Sequence, residues 1–80
     1  MHASALNEDT HKRIRQKYNL TKREVEIMRQ VRQNKTTLEI AEQLFVSPLT
    51  IETHRRDIRT KLNIKGNNGL LLFAQRHLDI

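Results

Sequence analysis

The sequence predicts an all-α fold of four helices around a helix-turn-helix, held in a single domain. Two observations carry this expectation. Helix-start signatures recur along the chain: Thr21 and Thr36 each stand three residues before a glutamate, and Ser47 stands directly before Pro48. Behind each start, apolar side chains repeat at helical spacing, so that each helix has one side to bury and one to leave wet. Eighty residues leave room for one compact core and no more.

Residues 1–17 are polar and weakly patterned. Lys12, Arg13, Arg15 and Lys17 form a basic cluster with little apolar support, so this stretch is expected to be a flexible basic tail or linker, with a frayed helix or an arm touching phosphates as alternatives. The folded domain is expected over 18–80, with its first helix over 22–33. Thr21 and Glu24 make a capping box, each side chain satisfying the other's backbone N–H, and Leu20 can staple against Val25. Ile27, Met28 and Val31 continue the apolar stripe, and Asn34 suits the left-handed turn that stops it.

The second helix is expected over 37–44. Thr36 and Glu39 form its capping box, Ile40, Ala41 and Leu44 its inward face, and Val46 turns inward after it. Phe45 sits in the tight break where many helix-turn-helix units carry glycine. The third helix is expected over 48–62. Ser47 caps it, and Pro48 takes the first helical position, where a missing N–H is harmless. It fades near Asn63. The fourth is expected over 67–78, after a loop at Lys65 and Gly66, and holds five consecutive apolar residues from Leu70 to Ala74. A helix cannot turn all five to one core, so part of that surface is left for a partner.

The third helix has two faces of different chemistry. Ile51, Ile58 and Leu62 form one stripe toward the core. At about 100° per residue, Leu49, Thr53, Arg56 and Thr60 fall opposite, with Glu52 and Arg59 on one flank and Asp57 on the other. The net charge of +6 and a pI near 10.3 favour a polyanionic partner. Five basic residues against one acid lie between Arg55 and Lys65. Tyr18, Phe45 and Phe73 are the only aromatics and none are neighbours, which fits a duplex better than a single strand needing stacking platforms.

Other functions find little support. The chain has no cysteine, so disulfides and cysteine-based zinc sites are excluded. His2, His11, His54 and His77 lack a paired metal-ligand spacing, and there is no glycine-rich phosphate loop or carboxylate pair for acid–base work. No enzyme activity and no cofactor are expected. No apolar run approaches the roughly 18 residues of a membrane span, and the start is unlike a signal peptide, so a cytoplasmic protein without a membrane partner is expected.

Taken together, Leu20-Thr21-x-Arg23-Glu24, Glu39-Ile40-Ala41-x-x-Leu44-x-Val46-Ser47, Thr50-Ile51-x-x-His54 and Ile58-x-x-Lys61-Leu62 resemble, in order and spacing, the LuxR-type (GerE-type) DNA-binding domain of bacterial transcription regulators. The resemblance runs from Leu20 to about Leu78. It implies a four-helix domain whose third helix enters the major groove and whose fourth commonly supports dimerisation. Asn34 stands where that family usually has glycine, Leu38 where it often has lysine, Leu49 where many members have arginine, and Asn67 where arginine is common. The changes at Leu38, Leu49 and Asn67 remove positive charge from the expected interface.

Leu49, Glu52, Thr53 and Arg56 are therefore the candidate base-reading residues. Arg56 suits guanine, at about 1–3 kcal/mol of discrimination, Glu52 suits cytosine N4, and Leu49 a thymine methyl. Phosphate contacts are expected from Thr50, His54, Arg55, Arg59 and Lys61, and from the helix starts at Thr36, Thr37 and Ser47. Leu72, Phe73 and Arg76 are the candidate dimer residues. The expected partners are double-stranded DNA, a second copy of the chain and RNA polymerase, in the C-terminal part of a longer regulator. The competing expectation is a protein-interaction module in which Leu49, Glu52 and Asp57 make the third helix a docking surface.

Overall fold

The computed structural model describes residues 12–77. Among the described residues there are five helices: α1 over 12–18, α2 over Lys22–Arg32, α3 over Thr37–Leu44, α4 over Pro48–Leu62 and α5 over Asn67–His77. The four expected helices are all present. The expected end of the last, at Leu78, lies outside the described residues.

The fifth helix is the main difference from expectation. The expected tail covers 1–17, yet residues 12–17 of it are helical; residues 1–11 lie outside the described residues. Ile14 and Tyr18, four residues apart, share one face of α1 and pack against the core. The Tyr18 ring meets Phe73 of α5 edge-on, with centroids 5.2 Å apart. The support that holds α1 thus comes from a residue far along the chain.

Both capping boxes form. Glu24 N–H donates to Thr21 Oγ1 at 3.0 Å and Thr21 N–H to Glu24 Oε1 at 2.8 Å. Glu39 N–H donates to Thr36 Oγ1 at 3.1 Å and Thr36 N–H to Glu39 Oε1 at 2.8 Å. Ser47 Oγ accepts from Thr50 N–H at 3.1 Å, with Pro48 opening α4. These bonds satisfy N–H groups that a helix start otherwise leaves without partners.

Helices α1 to α4 share one way of stopping. Each runs into a left-handed residue: Asn19, Asn34, Phe45 and Asn63, with φ of 58°, 63°, 59° and 56°. The next residue then donates its N–H to the carbonyl five back: Leu20 to Arg15, Lys35 to Gln30, Val46 to Ala41 and Ile64 to Arg59, at 2.9 to 3.1 Å. This is the Schellman closure, and asparagine tolerates its left-handed position. Phe45 does not, yet it holds the same geometry with its ring 94 % exposed.

The core is Leu20, Val25, Ile27, Met28, Val31, Ile40, Ala41, Ile51, Ile58, Leu62, Leu70 and Ala74. It contains the expected stripes of α2 and α4, and Ile40 and Ala41 of α3, with Leu44 half-buried against it. Helix α5 lies on α2, α3 lies on α4, and α4 crosses α2. Gly69 makes the α5 approach possible, since a Cβ there would stand 2.0 Å from Ile64 Cγ2. Of the apolar run on α5, Leu70 and Ala74 are buried, Leu71 and Phe73 are half-buried, and Leu72 is 51 % exposed.

Candidate nucleic-acid interface

Helix α4 presents its free face because the opposite one is fixed. Ile51, Ile58 and Leu62 are buried on α2 and α3. Leu49, Glu52 and Arg56 are exposed and Thr53 is half-buried, so the four candidate base-reading side chains lie away from the core. Arg56 extends into solvent; its nearest carboxylate, Asp57 Oδ1, is 4.0 Å from Nε and both side chains are at least half exposed. An ion pair of that kind is worth little and leaves the guanidinium available. Fifteen residues make α4 about 22 Å long.

Glu52 has a partner that its sequence neighbours do not reveal. Thr37 Oγ1, at the start of α3, donates to Glu52 Oε2. This ties the start of α3 to the face of α4 and fixes one oxygen of the carboxylate. The capping box occupies the N–H groups of Thr36 and Glu39. Those of Thr37 and Leu38 open outward at the positive end of the helix dipole, the geometry that receives an anion.

The expected phosphate contacts divide between the two flanks of α4. Arg55 and Arg59, both half-buried, lie on the Glu52 side; Thr50 and His54 lie on the other. Burial lowers the Arg55 guanidinium from its ordinary value; Glu52, one turn back, opposes this, and the charge of Arg59 adds to the lowering. It remains a cation. Ser47 Oγ and Thr50 Oγ1 stand 2.9 Å apart, so the two hydroxyls first serve the helix cap.

Lys61 is placed differently from the rest. Its Nζ donates to Glu24 Oε1 at 2.8 Å, and the Glu24 side chain is only 4 % exposed. The ammonium is thus turned toward the start of α2 rather than toward the outward face. Sequence spacing reveals Glu24 as a cap, but its second bond spans 37 residues and has no local signal.

Leu38 is 68 % exposed and Leu49 75 % exposed, so both put apolar surface around the helix-turn-helix. Of the candidate dimer residues, Leu72 and Arg76 are exposed one turn apart on α5, while Phe73 is half-buried between Tyr18 and His77, with ring centroids 5.2 and 4.4 Å away. Among the described residues no group of His, Asp and Glu is placed to hold a metal ion. No helix among them is long and apolar enough to cross a membrane.

The family model for bacterial regulatory proteins of the luxR family matches residues 18–74. The transcriptional regulatory protein LiaR of Bacillus subtilis (strain 168) is 38 % identical over 58 residues, which is 72 % of this chain and 28 % of that protein. The oxygen regulatory protein NreC of Staphylococcus epidermidis is 44 % identical over 55 residues, 69 % of this chain and 25 % of that protein. NreC of Staphylococcus aureus (strain JH9) matches to the same extent. The chain thus spans about a quarter of the length of these curated relatives. No solved structure matches it.

Proposed function

The chain belongs to the luxR family of bacterial regulatory proteins, and on that premise we propose that it is the duplex-DNA-binding output domain of a transcription regulator. Helix α4 lies in the major groove, with Thr53 and Arg56 as its main base readers and Leu49 and Glu52 beside them. The observation that carries this reading is the outward α4 face: Arg56 stands exposed at its centre, and basic residues rise on the Arg55 and Arg59 flank. Thr36, Thr37, Ser47, Thr50, His54, Arg55 and Arg59 meet phosphates on either side of the groove. Two copies meet through Leu72 and Arg76 of α5 and read half-sites about one helical turn apart.

Selection of bound duplexes from a random library tests this reading. One sequence class should emerge, with affinity falling steeply between low and high salt. Arg56→Ala should relax preference at one base pair and cost about 1–3 kcal/mol. Equal retention of every duplex at low salt, or no retention at all, would overturn groove reading.

A second reading rests on the apolar side chains that the fold leaves outside. Leu38, Phe45 and Leu49 are 68 %, 94 % and 75 % exposed around the helix-turn-helix. They suit contact with a protein, RNA polymerase among the candidates, or a role as an interaction module. Loss of a protein complex in Phe45→Ser with DNA binding intact would favour that contact.

A further inference from the structure

A shallow hollow opens between the α2–α3 loop, α4 and the start of α5, lined by Val31, Asn34, Lys35, Arg55, Asn68 and Leu71. Its lining holds two cations and two amides and no acid. Among the described residues Lys35 and Arg55 are not in the ion pairs Arg23–Glu26, Arg56–Asp57 and Lys61–Glu24. Glu52, the acid one turn before Arg55, has one oxygen bound to Thr37. Both cations are half-buried. Cations that line one hollow and are partly stripped of water are stabilised when an anion joins them.

The helix ends explain why Lys35 is there. In three of the four Schellman turns the residue after the left-handed position is Leu20, Val46 or Ile64, each packed on the core. That position points inward. Lys35 occupies it in the fourth turn, with its N–H bonded to Gln30 O at 3.1 Å. An inward place that is elsewhere filled by an apolar side chain here carries an ammonium at the edge of the hollow.

We propose that this hollow is a seat for a single backbone phosphate of the bound duplex, gripped by Lys35 and Arg55 with Asn68 beside them. The proposal rests on the DNA-binding reading above and adds Lys35 and Asn68 to it. The seat adjoins the start of α3, where the Thr37 and Leu38 N–H groups open to an anion, so one DNA strand can pass from the helix start to the hollow. Helix α5 begins at Asn67, and Asn68 in its first turn lines the hollow. A guanidinium and an ammonium together offer donors that suit the acceptor oxygens of a phosphate.

The test uses the whole chain and its selected duplex. Lys35→Ala should weaken binding to all sequences alike and reduce the slope of log K against log salt by about 1. Asn68→Asp should act in opposite directions on two readouts, raising the melting temperature of the free chain by supplying the missing acid while lowering DNA affinity. A duplex with one methylphosphonate in place of the seated phosphate should bind wild type about as weakly as Lys35→Ala binds the normal duplex. Combining the two changes should add nothing further.

If wild type binds the duplex but Lys35→Ala leaves affinity and slope unchanged, the seat is wrong and the DNA-binding reading stands. If wild type retains no duplex, both fall together. Titration with inorganic phosphate, followed by the amide signals of Lys35 and Asn68, separates the sources of the anion. Saturable shifts with an unaltered Lys35→Ala duplex affinity would mean a free-anion site and overturn the proposal.

Discussion

Phe45 keeps its backbone in a region that favours asparagine and glycine, and its ring gains almost nothing from the fold, being 94 % exposed. Replacing it by asparagine, the residue at the other three left-handed helix ends, should stabilise the chain by about 1 kcal/mol. Thermal unfolding should show a rise of roughly 4–8 °C; an unchanged or lower midpoint would mean that the ring has a partner within the fold. Lys61 shows the opposite case, a surface-prone side chain held by a buried carboxylate. Lys61→Met should destabilise by about 1–3 kcal/mol in urea, because Glu24 stays buried with a partner fewer. The salt slope of DNA binding should not move, which separates Lys61 from Arg55 and Lys35. Residue roles were readable in the sequence where they depend on local chemistry. Thr21, Thr36 and Ser47 cap their helices because the bonds reach three residues. Glu52 was not readable in this way, because its hydrogen bond goes to Thr37, fifteen residues earlier.

At the scale of elements, α5 depends on a position without a side chain. Gly69→Ala would put a methyl group 2.0 Å from Ile64 Cγ2, so α5 must shift away from α4 or the side chain must turn. The cost should be about 1–3 kcal/mol. Adding Ile64→Ala should recover part of it, and denaturation of the four chains of that cycle would show less-than-additive losses. Simple addition would exclude the clash. Helices α2 to α5 were legible because cap, stripe and stop agree within each segment. Helix α1 was not, since 12–18 carries few apolar residues and is held by Phe73, which is more than fifty positions away. The outward face of α4 followed from helical arithmetic once Ile51, Ile58 and Leu62 marked the core. The hollow was illegible for the same kind of reason as α1. Three segments meet there, and nothing within residues 34–37 says that Lys35 turns inward.

For the whole molecule, the proposed meeting of two copies is open to a direct test. Phe73 was an expected dimer residue, but Tyr18 and His77 already cover much of it. Leu72, half exposed and one turn from Arg76, is the better probe. Leu72→Glu should leave the monomer's stability within about 0.5 kcal/mol, as for most surface changes, while abolishing the dimer seen by sedimentation on a two-half-site duplex. Persistence of a two-to-one complex in that variant would move the interface elsewhere. The repeated helix ending has a consequence for how such a domain changes over time. Because backbone hydrogen bonds close the turn, the following position behaves as an interchangeable socket. Filled by leucine, valine or isoleucine it anchors the interior; filled by lysine it becomes an electrostatic feature, and the path of the chain stays the same. New recognition chemistry can therefore be installed at such a joint without redesigning the scaffold around it.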